Sequence, residues 1–417
     1  MSKILIANWT WYPSGGDWTY IDNVCRFYES KGHEVVPFSM KDDRNFKTPF
    51  DKYFVSNIDY KDLNKKKNPL TAVKVLKNSL YSAEAKRNIR SLLSEHKIDL
   101  VHLNNIHHYL TPGSIIPEIK RHNIPILWTV HDYVILCPNT TFISNDRVCE
   151  RCKVGKYYNC IVHKCKKGSL FASSVAAMES YVNKWVDPYK YVDYFLCPSQ
   201  FIADKFIQFG YDEKKIVRLY NPFDISSLEN ITQNGLKGRK YIVYVGNILK
   251  VKGVFTLAEA VRGLDIDLYI IGDGEAMPEL EMFVKNNNIT NIYFLGRKKK
   301  QETLTYMKGA EFVVVPSEWY ENLPYSLVEA LLLAKPVLGA RIGGIPELVL
   351  DNETGFLFEP ANKEDMIAKL KYMLSLPGEK LSWLGNNAQK HAAALTNYGS
   401  FGDRLSGIFK SVNVPLN

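Results

Sequence analysis

Short apolar runs alternate with amphipathic stretches along most of this chain. Most of the runs are followed by a glycine or polar turn and then by residues with the helical period. Apolar runs of this length, without internal alternation, are typical of strands that are covered on both faces, as in parallel α/β sheets. The pattern therefore predicts an α/β protein with parallel sheets.

In the first half of the chain, the pattern predicts six strands and a glycine-containing loop. Gly15 and Gly16 follow the first strand and precede a helical stretch from Trp18 to Ser30. Without side chains at these two positions, a phosphate or sugar can approach the backbone. The predicted strands are KILIAN at 3–8, EVVPF at 34–38, DLVHL at 99–103, IPILWTV at 124–130, VDYFLC at 192–197 and KIVRLY at 215–220.

The second half repeats this organisation after a polar linker at 223–240. It predicts strands in YIVYVG, which begins at 241, and then in DLYIIG, NIYFLG, EFVVVP, KPVLGA and GFLF. We therefore predict two doubly wound domains, 1–222 and 241–395, and a C-terminal helical segment, 396–417, that packs back on the first domain. Open parallel sheets bind ligands beyond the carboxyl ends of their strands, so the substrate is expected in a cleft between the domains.

Length and charge narrow the choice of function. The 417 residues exceed what one core usually supports, and 46% of them are apolar, which is enough for two cores. A net charge of +9 favours anionic partners, but no nucleic-acid-binding signature accompanies it, so nucleic acid is not expected. With no long apolar run and no signal-peptide pattern, we expect the protein in the cytoplasm.

The stretch PSEWYENLPYSLVEA at 316–330 is the most informative motif. It places Glu321 in the loop after a strand and Glu329 about two turns into the following helix. Ionised carboxylates accept hydrogen bonds from sugar and ribose hydroxyls, and the free amides at the start of the helix suit phosphate. Two glutamates at this spacing alone would indicate an ordinary surface helix, but the longer string makes that interpretation improbable.

Four strings in the second half resemble the retaining glycosyltransferases of family 4, which have the GT-B fold of two facing Rossmann-like domains. They are YVGNILKVKG, IIGDGEAMPEL, VVVPSEWYENLPYSLVEALLLAKPVLGA and IGGIPELVLDNETGFLF. The first half resembles the family more loosely, through the Gly15-Gly16 loop, TVHD and NPFD. The resemblance implies metal-independent transfer from a nucleotide sugar, such as a UDP- or GDP-sugar, with retention of anomeric configuration.

By this resemblance, Glu321 binds the donor sugar, Glu329 binds the ribose and Lys252 pairs with the diphosphate. Backbone amides near Asn322 and Leu323 assist Lys252. The Gly15-Gly16 loop faces the diphosphate, and His131 contacts the donor sugar near the reacting carbon. Glu321, His131 and Lys252 are thus the candidate catalytic residues, although Lys252 also suits a solvated loop and His131 a hydrogen-bonded loop position.

One position departs from the family pattern. Where the family often has an arginine after the first strand of the second domain, this chain has Asn247. An asparagine cannot replace the bidentate grip of a guanidinium on phosphate. Arg297 and the run 298–300 could approach the nucleotide from the neighbouring strand end, but a solvated basic loop is the favoured interpretation.

Five cysteines fall in an insertion at 137–165. Cys149, Cys152, Cys160 and Cys165 have a spacing that is compatible with a structural zinc site, and disulfides are disfavoured in a reducing compartment. Free thiols are an equally good interpretation, because the second pair is more widely spaced than usual. No catalytic metal is expected.

Residues 61–97 combine lysines with an amphipathic helical pattern. Such a helix can lie on an anionic membrane at the inner face of the plasma membrane, next to a lipid-linked acceptor. An ordinary amphipathic helix that covers the sheet is the favoured interpretation. The leading hypothesis is a glycosyltransferase acting on a glycan or lipid-linked acceptor in bacterial surface polysaccharide synthesis. A nucleotide-sugar epimerase of similar fold and a non-catalytic nucleotide- or glycan-binding subunit are the alternatives.

Overall fold

The chain folds into two α/β domains, each built on a six-stranded parallel sheet. The computed structural model describes residues 1–57, 80–232 and 239–415. The predicted fold class is confirmed, and each predicted strand is present with its ends trimmed by up to two residues. Part of the predicted linker at 223–240 and residues 61–79 of the predicted amphipathic stretch lie outside the described residues.

The first domain contains strands β1–β8 and helices α1–α6. Its strands are β1 Lys3–Ala7, β2 Glu34–Phe38, β3 Leu100–Leu103, β4 Ile126–Thr129, β5 Ile143–Ser144, β6 Arg147–Val148, β7 Tyr194–Cys197 and β8 Ile216–Arg218. Its helices are α1 Gly16–Ser30, α2 Ala83–Glu95, α3 Pro112–Arg121, α4 Tyr158–Val162, α5 Leu170–Val186 and α6 Gln200–Gln208.

The first sheet has the strand order β2-β1-β3-β4-β7-β8. The chain crosses to the other side of the sheet between β1 and β3, so the loops after these two strands diverge and leave a crevice. Helix α2 buries Ala85, Ile89, Leu92 and Leu93 against this sheet. The described part of the predicted amphipathic stretch therefore covers the sheet.

The second domain contains strands β9–β14 and helices α7–α13. Its strands are β9 Tyr241–Val245, β10 Asp267–Ile271, β11 Ile292–Gly296, β12 Val313–Val315, β13 Val337–Ala340 and β14 Gly355–Phe358. Its helices are α7 Val254–Val261, α8 Met277–Asn286, α9 Lys300–Gly309, α10 Tyr325–Leu332, α11 Ile345–Leu348, α12 Lys363–Ser375 and α13 Gly378–Thr396.

The second sheet has the order β11-β10-β9-β12-β13-β14, which is that of a dinucleotide-binding domain. Its crossover point lies between β9 and β12. The loop after β9 carries Lys252 and the loop after β12 carries Glu321. The topology therefore brings together two residues that are 69 positions apart in the sequence.

The last helix, α14 Tyr398–Ser411, returns to the first domain. Its side chains Phe401, Leu405 and Phe409 are fully buried in the same cluster as Phe27 and Tyr28 of α1. Phe401 meets Phe27 edge-on with ring centroids 5.0 Å apart. The chain thus crosses between the domains twice, and the second crossing is anchored by aromatic packing.

The cysteine-rich insertion forms a small cluster against helix α5. Cys152 and Cys160 are buried beside Ala177, and Cys165 packs at the edge. All five thiols are free, and burial raises the pKa of the Cys137 thiol to about 11. Among the described residues, no group of three or more His, Cys, Asp or Glu side chains is placed to hold a metal ion. Zinc at Cys149, Cys152, Cys160 and Cys165 stays a prediction.

Elemental analysis of the purified full chain tests the zinc prediction. About one zinc per chain is expected, because four thiolates at this spacing can close a structural site around one ion. Replacing Cys152 and Cys160 with serine should then release the metal, whereas replacing the distant buried Cys197 should not. A metal-free protein with intact activity would leave the free-thiol interpretation.

Candidate functional site

The centre of the site is an ion pair between the loops after β9 and β12. Lys252 Nζ lies 2.6 Å from Glu321 Oε1, and the two side chains are 18% and 7% exposed. The ammonium also lies over the ring of Trp319, 4.8 Å from its centroid. The structure therefore joins the two residues that the sequence assigned to diphosphate and donor sugar.

Gly253 allows this pair to form. It follows the 3₁₀ turn Lys250–Lys252 with φ of +71°, and a Cβ at this position would lie 1.8 Å from the carbonyl oxygen of Pro316. Only glycine accepts both the left-handed backbone and this close approach. The turn is thereby pressed against the loop after β12, which places Lys252 beside Glu321.

The Glu321 carboxylate is held by three donors on one oxygen. Oε1 accepts hydrogen bonds from Lys252, from Ser317 Oγ at 2.6 Å and from Trp319 Nε1 at 2.9 Å. Burial raises the pKa of Glu321, but Lys252 and the two hydrogen bonds outweigh it, so the pKa lies below its usual value. The carboxylate is ionised at neutral pH and can accept hydrogen bonds from sugar hydroxyls.

Glu329 lies on α10 and is almost fully buried. It pairs with Lys300, the first residue of α9. Burial raises the pKa of Glu329 above its usual value although Lys300 opposes the shift. The two glutamates therefore differ electrostatically, and Lys300, which the sequence placed only in a basic run, is the partner of the second.

Asn322 links the loop after β12 to the first domain. Its Nδ2 donates to the carbonyl of Val130 at 2.8 Å, and its Oδ1 accepts from Ser199 Oγ at 3.0 Å. The next residue, Leu323, is buried in the core of the second domain. The side chain of Asn322 thus holds the domains together, while the backbone of this loop borders the cleft.

The first domain contributes the Gly15-Gly16 loop and His131. Gly15 has φ of +153°, and a Cβ at Gly16 would lie 3.9 Å from the Tyr325 ring, so this loop faces the start of α10 across the cleft. His131 Nε2 pairs with Asn104 Oδ1 at 2.9 Å. Burial lowers the pKa of His131 to about 4, so its ring is neutral at pH 7.

The remaining predicted donor-binding residues are exposed. Asn247 follows β9, and its carbonyl accepts a hydrogen bond from Tyr244. Arg297 follows β11, and no ion pair joins its guanidinium to an acidic residue in the described ranges. Neither side chain contributes to the arrangement around Glu321.

Three adjoining cavities extend from this centre into the first domain. A cleft cavity of about 250 Å³ is lined by Gly16, His131 and Glu321. A second cavity of about 330 Å³ shares Asp17, Asn105, Asp132 and Thr140 with the first. A third, of about 560 Å³, shares His107, His108 and Val134 with the second and runs beneath α5.

One carboxylate in the third cavity has an unused acceptor. Glu179 is 5% exposed, and its Oε2 accepts from His108 Nδ1 at 2.7 Å. Its other oxygen, Oε1, is buried without a hydrogen-bond partner among the described residues. An unpaired buried carboxylate oxygen is costly, so Oε1 is expected to accept from a donor such as a water or a ligand hydroxyl.

Three residues that shape the site were not singled out from the sequence. Trp319 and Ser317 orient Glu321, and Asn104 orients His131. Ser317 and Trp319 lie inside the string PSEWYENLPYSLVEA, but no sequence pattern indicates that their side chains point toward Glu321. Asn104 has a readable signal, because it directly follows strand β3 at the same sheet edge as His131.

The buried Lys252–Glu321 pair is expected to contribute to the free energy of unfolding. Lys252→Met should lower the free energy of unfolding by about 3 kcal/mol, because it leaves a buried carboxylate without its cation. Adding Glu321→Gln should recover part of that loss, since the uncompensated charge is removed. Urea denaturation measures Lys252→Met, Glu321→Gln and the double variant. Lys250→Met, which breaks an exposed pair with Glu279, is the matched control and should cost under about 1 kcal/mol.

Loss of stability in the double variant that equals the sum of the two single losses would show that the two charges do not interact.

Sequence comparisons identify relatives of both halves. The family model described as Glycosyltransferase Family 4 matches residues 14–227, and the one described as Glycosyl transferases group 1 matches residues 227–391. An uncharacterised glycosyltransferase of Methanocaldococcus jannaschii is 35% identical over 36% of this chain, and the match spans 42% of that relative's length. An uncharacterised protein from the cps region of Klebsiella pneumoniae is 22% identical over 83% of this chain and 87% of its own.

Among solved structures, HepE of Anabaena in complex with UDP and glucose is similar over 99% of this chain and 100% of its own, with a TM-score of 0.66 and 17% identity. This likeness shows the GT-B fold. The Glycosyltransferase Family 4 model covers more than half of the chain, and the second model continues from where it ends. The chain therefore belongs to glycosyltransferase family 4.

Proposed function

We propose that this protein transfers a sugar from a UDP- or GDP-sugar to a glycan or lipid-linked acceptor. The observation that carries the proposal is the buried Lys252–Glu321 pair at the crossover point of the second sheet, where such sheets bind nucleotides. It gives one cation and one ionised carboxylate at the same wall of the cleft. A nucleotide sugar has the matching groups, a diphosphate and a ring of hydroxyls.

The donor is activated by charge stabilisation. As the bond to the sugar breaks, negative charge develops on the leaving diphosphate, and Lys252 with the free amides at the start of α10 stabilises it. Lys252 then exchanges Glu321 for phosphate, and Glu321 accepts hydrogen bonds from the sugar. Glu329 binds the ribose, with Lys300 beside it.

The neutral His131 lies on the opposite wall of the cleft cavity. Its unprotonated state allows it to hydrogen-bond a sugar near the reacting carbon without placing a positive charge there. We infer, from the family resemblance, that transfer retains the anomeric configuration and needs no metal ion. The leaving phosphate then accepts the proton of the acceptor hydroxyl, so the protein contributes positioning and electrostatics.

The comparisons support this assignment. HepE is described in complex with UDP and glucose, which supports a uridine nucleotide sugar as donor. The similarity to a protein of a bacterial cps region supports a role in surface polysaccharide synthesis.

A donor panel tests the proposal. In EDTA, one UDP- or GDP-sugar should be hydrolysed or transferred, and Glu321→Ala should lower kcat/KM for it about 100-fold because the sugar is mispositioned. Glu279→Ala removes a carboxylate from an exposed lysine pair of the same domain and should change kcat/KM less than about twofold. Nucleotide binding without turnover of any donor would instead identify a binding subunit.

The acceptor is proposed to reach the cleft through the second and third cavities. Together they form a path along the first domain, and the free Oε1 of Glu179 suits an acceptor hydroxyl. Asp17 and Asp132 lie where this path meets the cleft cavity. The mixed apolar and polar lining fits a sugar that bears an apolar group.

Glu179→Gln separates acceptor binding from donor chemistry. The amide keeps the shape of the side chain but presents an N–H where the free oxygen was, so transfer to alkyl glycosides should fall about 10-fold or more. Donor hydrolysis in water should stay within about twofold of wild type. Parallel loss of both rates would indicate a structural role for Glu179.

A further inference from the structure

The outward face of the cysteine-rich insertion and helix α5 is unusually apolar. Helix α5 carries Phe171, Met178 and Trp185 at intervals of seven residues, so the three side chains share one face. Phe171 is 63% exposed and Trp185 is 81% exposed. The opposite face of the same helix, with Ala176 and Ala177, is buried. A helix that is apolar on both faces needs a second apolar neighbour.

Residues of the insertion extend this face. Val154, Tyr158 and Val162 are also exposed, and Val154 is 70% so. The carbonyl of Val154 accepts a hydrogen bond from Lys184 Nζ, and the backbone N–H of Tyr158 donates to Tyr181 Oη. These contacts place the insertion along α5. We call the combined surface, Val154, Tyr158, Val162, Phe171, Met178 and Trp185, the apolar face.

The apolar face is surrounded by positive charge. Residues 147–190 contain nine Lys or Arg and only three Asp or Glu. Glu150 is bonded to Lys205, and Glu179 is buried. Four exposed lysines form no ion pair within the described ranges: Lys153, Lys156, Lys164 and Lys167.

We propose that the apolar face docks the protein on an anionic lipid surface. Exposed aromatic and aliphatic side chains insert at the boundary between headgroups and acyl chains, and unpaired lysines around them attract anionic headgroups. A protein partner would need acidic residues in a matching ring, whereas a membrane supplies both features without specific geometry. None of the helices in the described ranges has the length and apolarity of a membrane-spanning segment.

The position of the apolar face fits an acceptor that is held in a membrane. Val154 and Lys184 line the third cavity, which leads through the second cavity to the donor cleft. Docking would therefore place the outer end of this path at the lipid surface. Lipid binding by the apolar face does not depend on which donor and acceptor the protein uses.

Flotation of the full chain with vesicles tests the proposal. The protein should float with phosphatidylcholine vesicles that contain about 30 mol% phosphatidylglycerol, and much less with vesicles of pure phosphatidylcholine, because anionic headgroups attract the lysines. The triple variant Phe171→Ser, Met178→Ser, Trp185→Ser should lower the partition constant on the order of tenfold or more. Lys→Gln changes at 153, 156, 164 and 167 should lower it about fivefold for each charge.

A matched control reduces apolar exposure in the second domain instead. Met282→Ser, Tyr372→Ser, Trp383→Ser changes three exposed side chains outside the apolar face and should leave the partition constant within about twofold. Unchanged donor hydrolysis in every variant shows that the fold is intact. Absence of flotation would overturn the proposal, as would a wild-type dimer in sedimentation that the first triple variant dissociates, because the occupant would then be a second copy.

Discussion

A single loop between β12 and α10 connects the chemistry of the site to the arrangement of the two domains. Glu321 of this loop pairs with Lys252 of its own domain, and the adjacent Asn322 bonds to Val130 and Ser199 of the other. The backbone of Gly343 packs directly against the loop, because a Cβ at Gly343 would lie 2.2 Å from the carbonyl oxygen of Glu321. Movement of one domain on the other therefore moves the donor carboxylate.

Other contacts across the cleft reinforce this coupling. Glu347 of α11 accepts hydrogen bonds from the first two backbone N–H groups of α6 in the first domain, and Tyr220 donates to the same carboxylate. A carboxylate at a helix N-terminus is favoured by the free amides and by the helix dipole. The domains are thus held by a few polar contacts, which can be exchanged, and by the packing of α14, which is apolar and holds the chain ends in place.

The fold could be predicted from the sequence because parallel strands that are covered on both faces leave continuous apolar runs. The resemblance located Glu321 and Lys252, but the pairing of the two required the crossover between β9 and β12 and the close approach at Gly253. Lys300 was visible only as one of several lysines, since no local pattern indicates which of them meets a buried carboxylate on another helix. The apolar face of α5 was not predicted, because in the sequence its exposed residues resemble core positions.

Asn247 leaves the proposed diphosphate site with few charged groups. An asparagine at the end of β9 brings no charge, and Lys250, its neighbour on the same turn, is paired with Glu279 at the surface. Lys252 is paired with Glu321, which lines the cleft cavity, so its charge is already neutralised. In the proposed function, a donor whose phosphate pairs with Lys252 must leave Glu321 with new hydrogen-bond donors, and the hydroxyls of the transferred sugar are the groups that would supply them. On this proposal, recognition of phosphate and recognition of sugar are one event, and intact nucleotide sugar is expected to bind more tightly than free nucleotide.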